Sequence, residues 1–277
     1  MSAIVIDGKK IAIEIKNNIS KDIKKSGRKL GLGTILVGDD PGSKAYVDGK
    51  HRDCEEVGIS SIKINLPSTA TEAEIINEVE RLNNDSNCTG FIVQLPLPES
   101  VNTNKVLSKI NPKKDADGLH PLNLGNLVLS NNSVIPCTPR AILEIFERYE
   151  INLSGSNLLI IGRGNTVGRP LSILLSQKPI DATVTLAHSK SKNLESLMKN
   201  ADILIAALGI SHFVKPNMIK PGAVVIDVGI TRSANGLLGD VDPSVTEVAS
   251  YFTPMPGGVG PLTRAMLLAN LVELSSI

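Results

Sequence analysis

Short apolar runs and amphipathic stretches alternate along nearly the whole chain. Asp7 precedes Ile11, Ile15, Ile19 and Ile23, apolar positions four apart that predict one face of a helix capped by the aspartate. TILVG at 34–38 is a continuous apolar run of strand length. Asp40-Pro41 reads as a cap and first-turn proline, opening a helix to about Val57. SIKINL at 61–66 predicts a second strand, and Thr71 with Glu74 has capping-box spacing ahead of a helix carrying Ile75, Val79 and Leu82. TGFIVQLPLP at 89–98 predicts a strand stopped by two prolines, and a helix near 103–110 ends before Pro112.

Residues 111 to 137 show no clear period and are rich in Asn, Asp, Gly and Pro, so the domain junction is placed there. Thr138-Pro139 opens another helix to about Tyr149, and the alternation resumes: strand 157–161, helix 167–177, strand 182–187, helix 191–200, strands 202–206 and 223–228, and a last helix from Leu262. No fixed-period repeat interrupts it. Strand and helix in alternation predict parallel sheets covered by helices. The expected fold is α/β with two domains and a cleft between them. Residues 1–137 form a substrate domain, on which the helix 262–277 packs back, and residues 138–261 form a Rossmann-type nucleotide domain.

Composition narrows the function classes. With 42% apolar residues the chain affords a proper core, and a net charge of +1 offers no electrostatic attraction to nucleic acid or an anionic membrane. Aromatics are 3% and Trp is absent, which weakens a base-stacking role. The N-terminus lacks a signal-peptide pattern, and no run approaches the roughly 18 apolar residues of a membrane span. Cys54, Cys88 and Cys137 make no CxxC pair, and neither they nor the four histidines cluster at metal-ligand spacing. The expectation is a soluble, reduced, cytoplasmic protein with no structural metal and no nucleic-acid or membrane partner.

The chemistry concentrates in a few stretches. LLIIGRGNTVGRPL (158–171) runs an apolar strand into Gly162, Gly164 and Gly168 and then a helix. Glycines let a backbone approach a pyrophosphate, and a helix N-terminus favours its charge. The spacing G-x-G-x-x-x-G is one residue longer than the common fingerprint. The next strand, ATVTLA, ends at His188-Ser189-Lys190, where an NAD enzyme usually offers a carboxylate to the ribose. A hydroxyl and a cation there, with Arg163 in the first turn, suit a 2′-phosphate, so NADP is the expected cofactor. On the helix after TILVG, Tyr46 and Lys50 are spaced i, i+4, and Ser43 lies on the same side near its start. Gln94 ends a strand just before Leu95-Pro96, KKDADGLHP places Asp115 and Asp117 in a loop, and TPMPGGVGPLT suits close backbone approach to a ligand.

These stretches together resemble one family, the bifunctional methylenetetrahydrofolate dehydrogenase/methenyltetrahydrofolate cyclohydrolases. The resemblance runs essentially the whole chain, through VGDDPGSKAYVDGK, VQLPLP, KDADGLHP, PCTP, IGRGNTVGRP, ATVTLAHS, DVGI, GDVD and TPMPGGVGPLT in family order. It implies that Lys50 activates the water or handles the proton of the cyclohydrolase step, and that Gln94 tunes Lys50. Tyr46 would stack on the folate and Asp117 anchor the pterin. Ser43, Leu95, Pro96, Pro256, Gly257 and Gly258 would line the folate site. Arg163 and Ser189 would hold the 2′-phosphate of NADP, with Gly162, Gly164, Val167, Gly168, His188 and Ile230 completing the cofactor set. The family usually has serine where this chain has Gly164. The resemblance further implies a homodimer, tetrahydrofolate derivatives as partners, and a place in one-carbon metabolism serving purine and amino-acid biosynthesis. Three other readings stay open at this point: a dehydrogenase-only relative, a shikimate-dehydrogenase-like NADP oxidoreductase, and a non-catalytic nucleotide sensor.

Overall fold

The computed structural model of the chain describes residues 2–233 and 236–276. In chain order its main elements are β1 (Ile4–Val5), α1 (Gly8–Ser26), β2 (Gly31–Val37), α2 (Pro41–Val57), β3 (Ser60–Leu66), α3 (Glu72–Asn84), β4 (Gly90–Val93), α4 (Thr103–Leu107), α5 (Pro121–Val128) and α6 (Cys137–Arg148). They continue as β5 (Asn157–Ile161), α7 (Gly168–Ser176), β6 (Thr183–Ala187), α8 (Leu194–Asn200), β7 (Ile203–Ala206), β8 (Val224–Asp227), β9 (Thr231–Ser233), β10 (Gly236–Leu238), β11 (Tyr251–Phe252) and α9 (Val259–Leu274). The chain divides into two compact units. One holds the residues through Ala12 with Thr138–Thr263; the other holds Ile13–Cys137 with the residues from Arg264 on.

The second unit is built on a parallel sheet of order β3-β2-β4. The central strand β2 is buried at all seven positions, which is why its sequence is apolar without alternation. β3 lies at the edge and alternates instead, with Ser61, Lys63 and Asn65 exposed and Ile64 buried. α3 carries the expected capping box at Thr71 and Glu74 and buries Ile75, Val79 and Leu82 against Ile35, Ile64 and Phe91. Each such buried side chain stabilises the fold by roughly 1.5–3 kcal/mol. α2 starts at Asp40, whose carboxylate accepts from Ser43 N at 2.7 Å, with Pro41 in the first turn. α4 is shorter than the sequence predicts, ending at Leu107 with isolated turn bonds to Ile110. α5 was not predicted: eight residues containing Gly and Asn give little periodicity, and Pro121 with the His120 side chain, which accepts from Leu122 N at 3.0 Å, starts the helix locally.

The first unit carries a six-stranded parallel sheet, order β1-β11-β8-β7-β5-β6. Leu159, Ile161, Leu204, Ala206, Val225 and Phe252 contribute to its core. β1 joins this sheet by pairing Ile4 with Tyr251 and Val5 with Phe252. The expected boundary at 137 puts these first residues with the substrate domain; a two-residue strand carries no signal of its own, and the partner strand β11 places it in this sheet instead. β9 and β10 form an antiparallel pair that the sequence pattern did not reveal.

Candidate active site

In the second unit, α2 and the carboxyl end of β4 bring Tyr46, Lys50 and Gln94 together. The i, i+4 spacing puts Lys50 Nζ 4.8 Å from the centroid of the Tyr46 ring. Nζ donates to Gln94 Oε1 at 3.0 Å, and Gln94 Nε2 donates to the Leu95 carbonyl at 2.7 Å. Gln94 is itself placed by its backbone N–H on Ile35 O, which continues the sheet ladder one residue past β4. The Leu95-Pro96 bond that follows is cis. Lys50 is only 6% exposed, and burial pushes its ammonium below the usual lysine range. Asp117 opposes that shift from the loop after β4, and the Cys137 thiol donates to the Ala116 carbonyl at 3.4 Å. Burial, then the Asp117 charge, hold the Cys137 thiol well above its ordinary value. Ser43 lies at the first turn of α2, half-buried and held through its backbone to the Asp40 cap.

The two aspartates of KKDADGLHP separate by role. Asp115 is 1% exposed and accepts from Gly118 N at 3.1 Å, His120 N at 2.7 Å and Asn123 Nδ2 at 2.8 Å, so it shapes the loop. Asp117 is the aspartate whose charge acts on Lys50. Cys137 is a neighbour of both Asp117 and Lys50 that the sequence did not single out beyond the PCTP motif, because nothing in its spacing to them marks the contact.

In the first unit, the glycine turn has the geometry of a phosphate cradle. Gly162 has φ 121° and Gly168 opens α7 so close to it that a side chain at 168 would collide with the Gly162 carbonyl. Gly164 is open: a Cβ there would meet only Thr166 Oγ1, at 3.9 Å. β5 and β6 pair in register, Ile161 opposite Ala187, and Gly162 N donates to Ala187 O at 2.9 Å. Arg163 and His188-Ser189 therefore leave the sheet at the same edge, side by side, and Arg163 and Ser189 are exposed there. His188 is engaged locally, its N–H on Ser191 Oγ at 2.9 Å and its Nδ1 accepting from Lys190 N at 3.2 Å. Val167 precedes α7 without a side-chain cap, and Ile230 is 48% exposed just past β8. The residues present thus fit a dinucleotide: a collision-free backbone cradle at a helix start, with a cation and a hydroxyl beside it. Pro256, Gly257 and Gly258 belong to this unit, in a loop with a cis Met255-Pro256 bond and Gly257 at φ 113°.

DVGI and GDVD also prove to be one structural feature. Asp240 accepts from Gly209 N at 3.1 Å and Ile210 N at 2.8 Å, fixing the loop after β7. Asp227 accepts from Asp240 N at 2.9 Å and Val241 N at 3.1 Å. Burial, with the Asp240 charge adding, pushes the Asp227 carboxyl up to about 7. Among the described residues no group of three metal-ligating side chains is found, and no helix is long and apolar enough to cross a membrane.

A parallel α/β unit with a dinucleotide cradle, and a second α/β unit that buries a lysine amine on a glutamine, define the class of a two-unit nucleotide-dependent enzyme. Residues 6–117 match the tetrahydrofolate dehydrogenase/cyclohydrolase catalytic domain, and residues 136–277 match the NAD(P)-binding domain of the same enzymes. The chain belongs to the tetrahydrofolate dehydrogenase/cyclohydrolase family. It is 40% identical to a bifunctional methylenetetrahydrofolate dehydrogenase/cyclohydrolase from Campylobacter jejuni, with TM-score 0.95 and 99% of each chain covered. It is 36% identical to the methylenetetrahydrofolate dehydrogenase-cyclohydrolase of Trypanosoma brucei, solved with NADP cofactor and an inhibitor, with TM-score 0.94, covering 100% of this chain and 98% of that one. Shikimate dehydrogenase from Aquifex aeolicus shares only the fold, at 11% identity and TM-score 0.54 over 89% of this chain and 91% of that one.

Proposed function

We propose that the protein oxidises 5,10-methylenetetrahydrofolate to the 5,10-methenyl compound with NADP, and then hydrolyses that product to 10-formyltetrahydrofolate. The observation that carries the reading is the buried Lys50 amine held on Gln94, with the Asp117 charge acting on it. When bound, NADP supplies the hydride acceptor. Arg163 and Ser189 hold its 2′-phosphate, with His188, Val167 and Ile230 beside it, and Gly162, Gly164 and Gly168 admit its pyrophosphate. The T. brucei relative's NADP complex supports this choice of cofactor. The first step asks little acid–base help, because the N5 and N10 lone pairs of the folate stabilise the cation formed, so the chain mainly orients the reactants.

Hydrolysis needs proton transfers. An ordinary lysine is protonated at neutral pH and a poor base. Burial brings the Lys50 amine toward a useful range, and Gln94 Oε1 accepts one of its hydrogens, which orients the lone pair. Tyr46 stacks on the folate, Asp117 accepts from the amino-pyrimidine edge, and Ser43, Leu95 and Pro96 line the folate site. The unit of Ile13–Cys137 with the residues from Arg264 on is read as the folate domain, and the unit holding Thr138–Thr263 as the NADP domain. The enzyme works as a cytoplasmic homodimer and supplies one-carbon units to purine and amino-acid biosynthesis, readings that family membership supports.

One assay tests the whole. Purified protein receives 5,10-methylenetetrahydrofolate with NADP, and separately with NAD, while reduced cofactor and methenyl product are followed by absorbance. Reduced cofactor without accumulated methenyl, faster with NADP, is the expected result. Methenyl accumulating one-for-one with reduced cofactor would remove the cyclohydrolase role, and no reduction with either cofactor would remove the folate reading.

A further inference from the structure

α9 lays Arg264 against α2 at Gly49, the residue before Lys50: any side chain at 49 would collide with the Arg264 guanidinium. Arg264 Nε lies 2.8 Å from Asp53 Oδ2. Asp53 is 4% exposed, and its other oxygen accepts from Lys16 Nζ of α1 at 2.7 Å. Lys16 also pairs with Glu56, so its charge has a second partner. One buried carboxylate on α2 therefore pairs with cations of α1 and α9, and the guanidinium of the second lies beside the backbone that carries Lys50.

The charges around Lys50 explain why that matters. The groups acting on it are Asp117, Cys137 and Cys54, which favour the ammonium, and Arg264, which opposes it. Tyr46 and Gln94 touch it as neutral groups. Burial holds the Cys137 thiol well above its ordinary value and pushes the Cys54 thiol up to about 12, so both are uncharged near neutral pH. His51, next on the helix, is kept neutral by burial, down to about 4. That leaves two charged groups of opposite sign, Asp117 and Arg264. On its own, the Asp117 charge would favour the Lys50 ammonium, and an ammonium is no base.

We propose that Arg264 is a positioning residue for the hydrolytic step: paired with Asp53 and set against Gly49, its guanidinium charge offsets that of Asp117 at the Lys50 amine. Nothing in the sequence motifs assigns this task to position 264 or 53. The inference rests on the proposed role of Lys50.

Two measurements test it. The pH profile of methenyltetrahydrofolate hydrolysis reports the functional midpoint. Competitive acylation with acetic anhydride across pH, read at Lys50 by mass spectrometry, reports the amine without any turnover. In Arg264→Gln both midpoints are expected to rise by about one pH unit, as for loss of a nearby like charge. Arg264→Lys returns them toward wild type, and the dehydrogenase keeps the shape of its pH profile. Asp53→Asn, which retains the guanidinium but frees it, moves the acylation midpoint the same way by less, and serves if Arg264→Gln does not fold. Midpoints that coincide with wild type, or an Arg264→Lys variant that behaves like Arg264→Gln, overturn the inference. If wild type shows no hydrolysis at all while the acylation midpoint still moves, the proposed cyclohydrolase role fails and the electrostatic role of Arg264 stands.

Discussion

Lys50 Nζ donates to Gln94 Oε1 at 3.0 Å, and the same amide is pinned from its other end by the Leu95 carbonyl at 2.7 Å. Because Nε2 is committed to Leu95, Oε1 is the atom presented to the lysine. A neutral acceptor at this position orients the amine without adding charge. Gln94→Glu would set an anion there instead, raising the Lys50 pKa and holding the ammonium. The expected outcome is a hydrolysis rate at neutral pH lower by about 10²-fold, with recovery at higher pH, while hydride transfer falls much less. An unchanged pH–rate profile for the Gln94→Glu enzyme would remove the amide from the mechanism.

Lys50→Met separates activity from stability. Hydrolysis of methenyltetrahydrofolate should fall by about 10²–10⁴, the usual worth of a positioned acid–base group, with NADP affinity retained in a fluorescence titration. The melting temperature should hold or rise, because an apolar side chain of similar length replaces an amine whose burial disfavours its charge. Wild-type hydrolysis rates in this variant would sink the assignment.

The cradle predicts opposite results at two glycines. Gly168→Ala drives a methyl into the Gly162 carbonyl and close to Arg163 Cα, backbone atoms with no flexible group to yield. Strain of about 1–3 kcal/mol is expected, together with loss of the thermal shift that NADP produces in wild type.

Gly164→Ser meets only Thr166 Oγ1, at 3.9 Å, and should leave the melting temperature within about 2 °C, a shift of well under 1 kcal/mol. If the hydroxyl at this position contributes to cofactor choice, the ratio of kcat/KM for NADP over NAD rises. A ratio equal to wild type shows that Arg163 and Ser189 carry the preference without it.

Asp227 makes the stability of the first unit pH-dependent. Its carboxyl sits at about 7 in the fold, against an ordinary 3.8 when unfolded. Between those values the folded state keeps a proton that the unfolded chain has shed. This group's contribution is therefore fully present below about pH 4 and is lost as pH rises through 7. Asp227→Asn cannot ionise, so its melting temperature should decline less than that of wild type from pH 5 to 8. Parallel melting curves for the two proteins across that range would show that Asp227 does not titrate there.

Much of this protein was legible in its sequence for a local reason. The caps at Asp40 and Thr71, the apolar run of β2, the i, i+4 pairing of Tyr46 with Lys50 and the glycine turn at 162–168 all depend on neighbours within a few residues, and backbone periodicity translates them directly into position. The nine motifs in order carried the family. What the tertiary structure alone decided lies between residues far apart in sequence. β1 is a strand only because Tyr251 and Phe252 pair with it, and α5 follows from a cap and a proline without a periodic face. Asp115 and Asp117 look alike in KKDADGLHP, yet one is buried under three hydrogen bonds and the other acts by its charge on Lys50. Cys137, Asp53 and Arg264 reach the lysine's surroundings from two other stretches of chain and from its own helix. Electrostatic and desolvation energies depend on distance and burial in three dimensions, and chain spacing does not encode either once a contact spans dozens of residues.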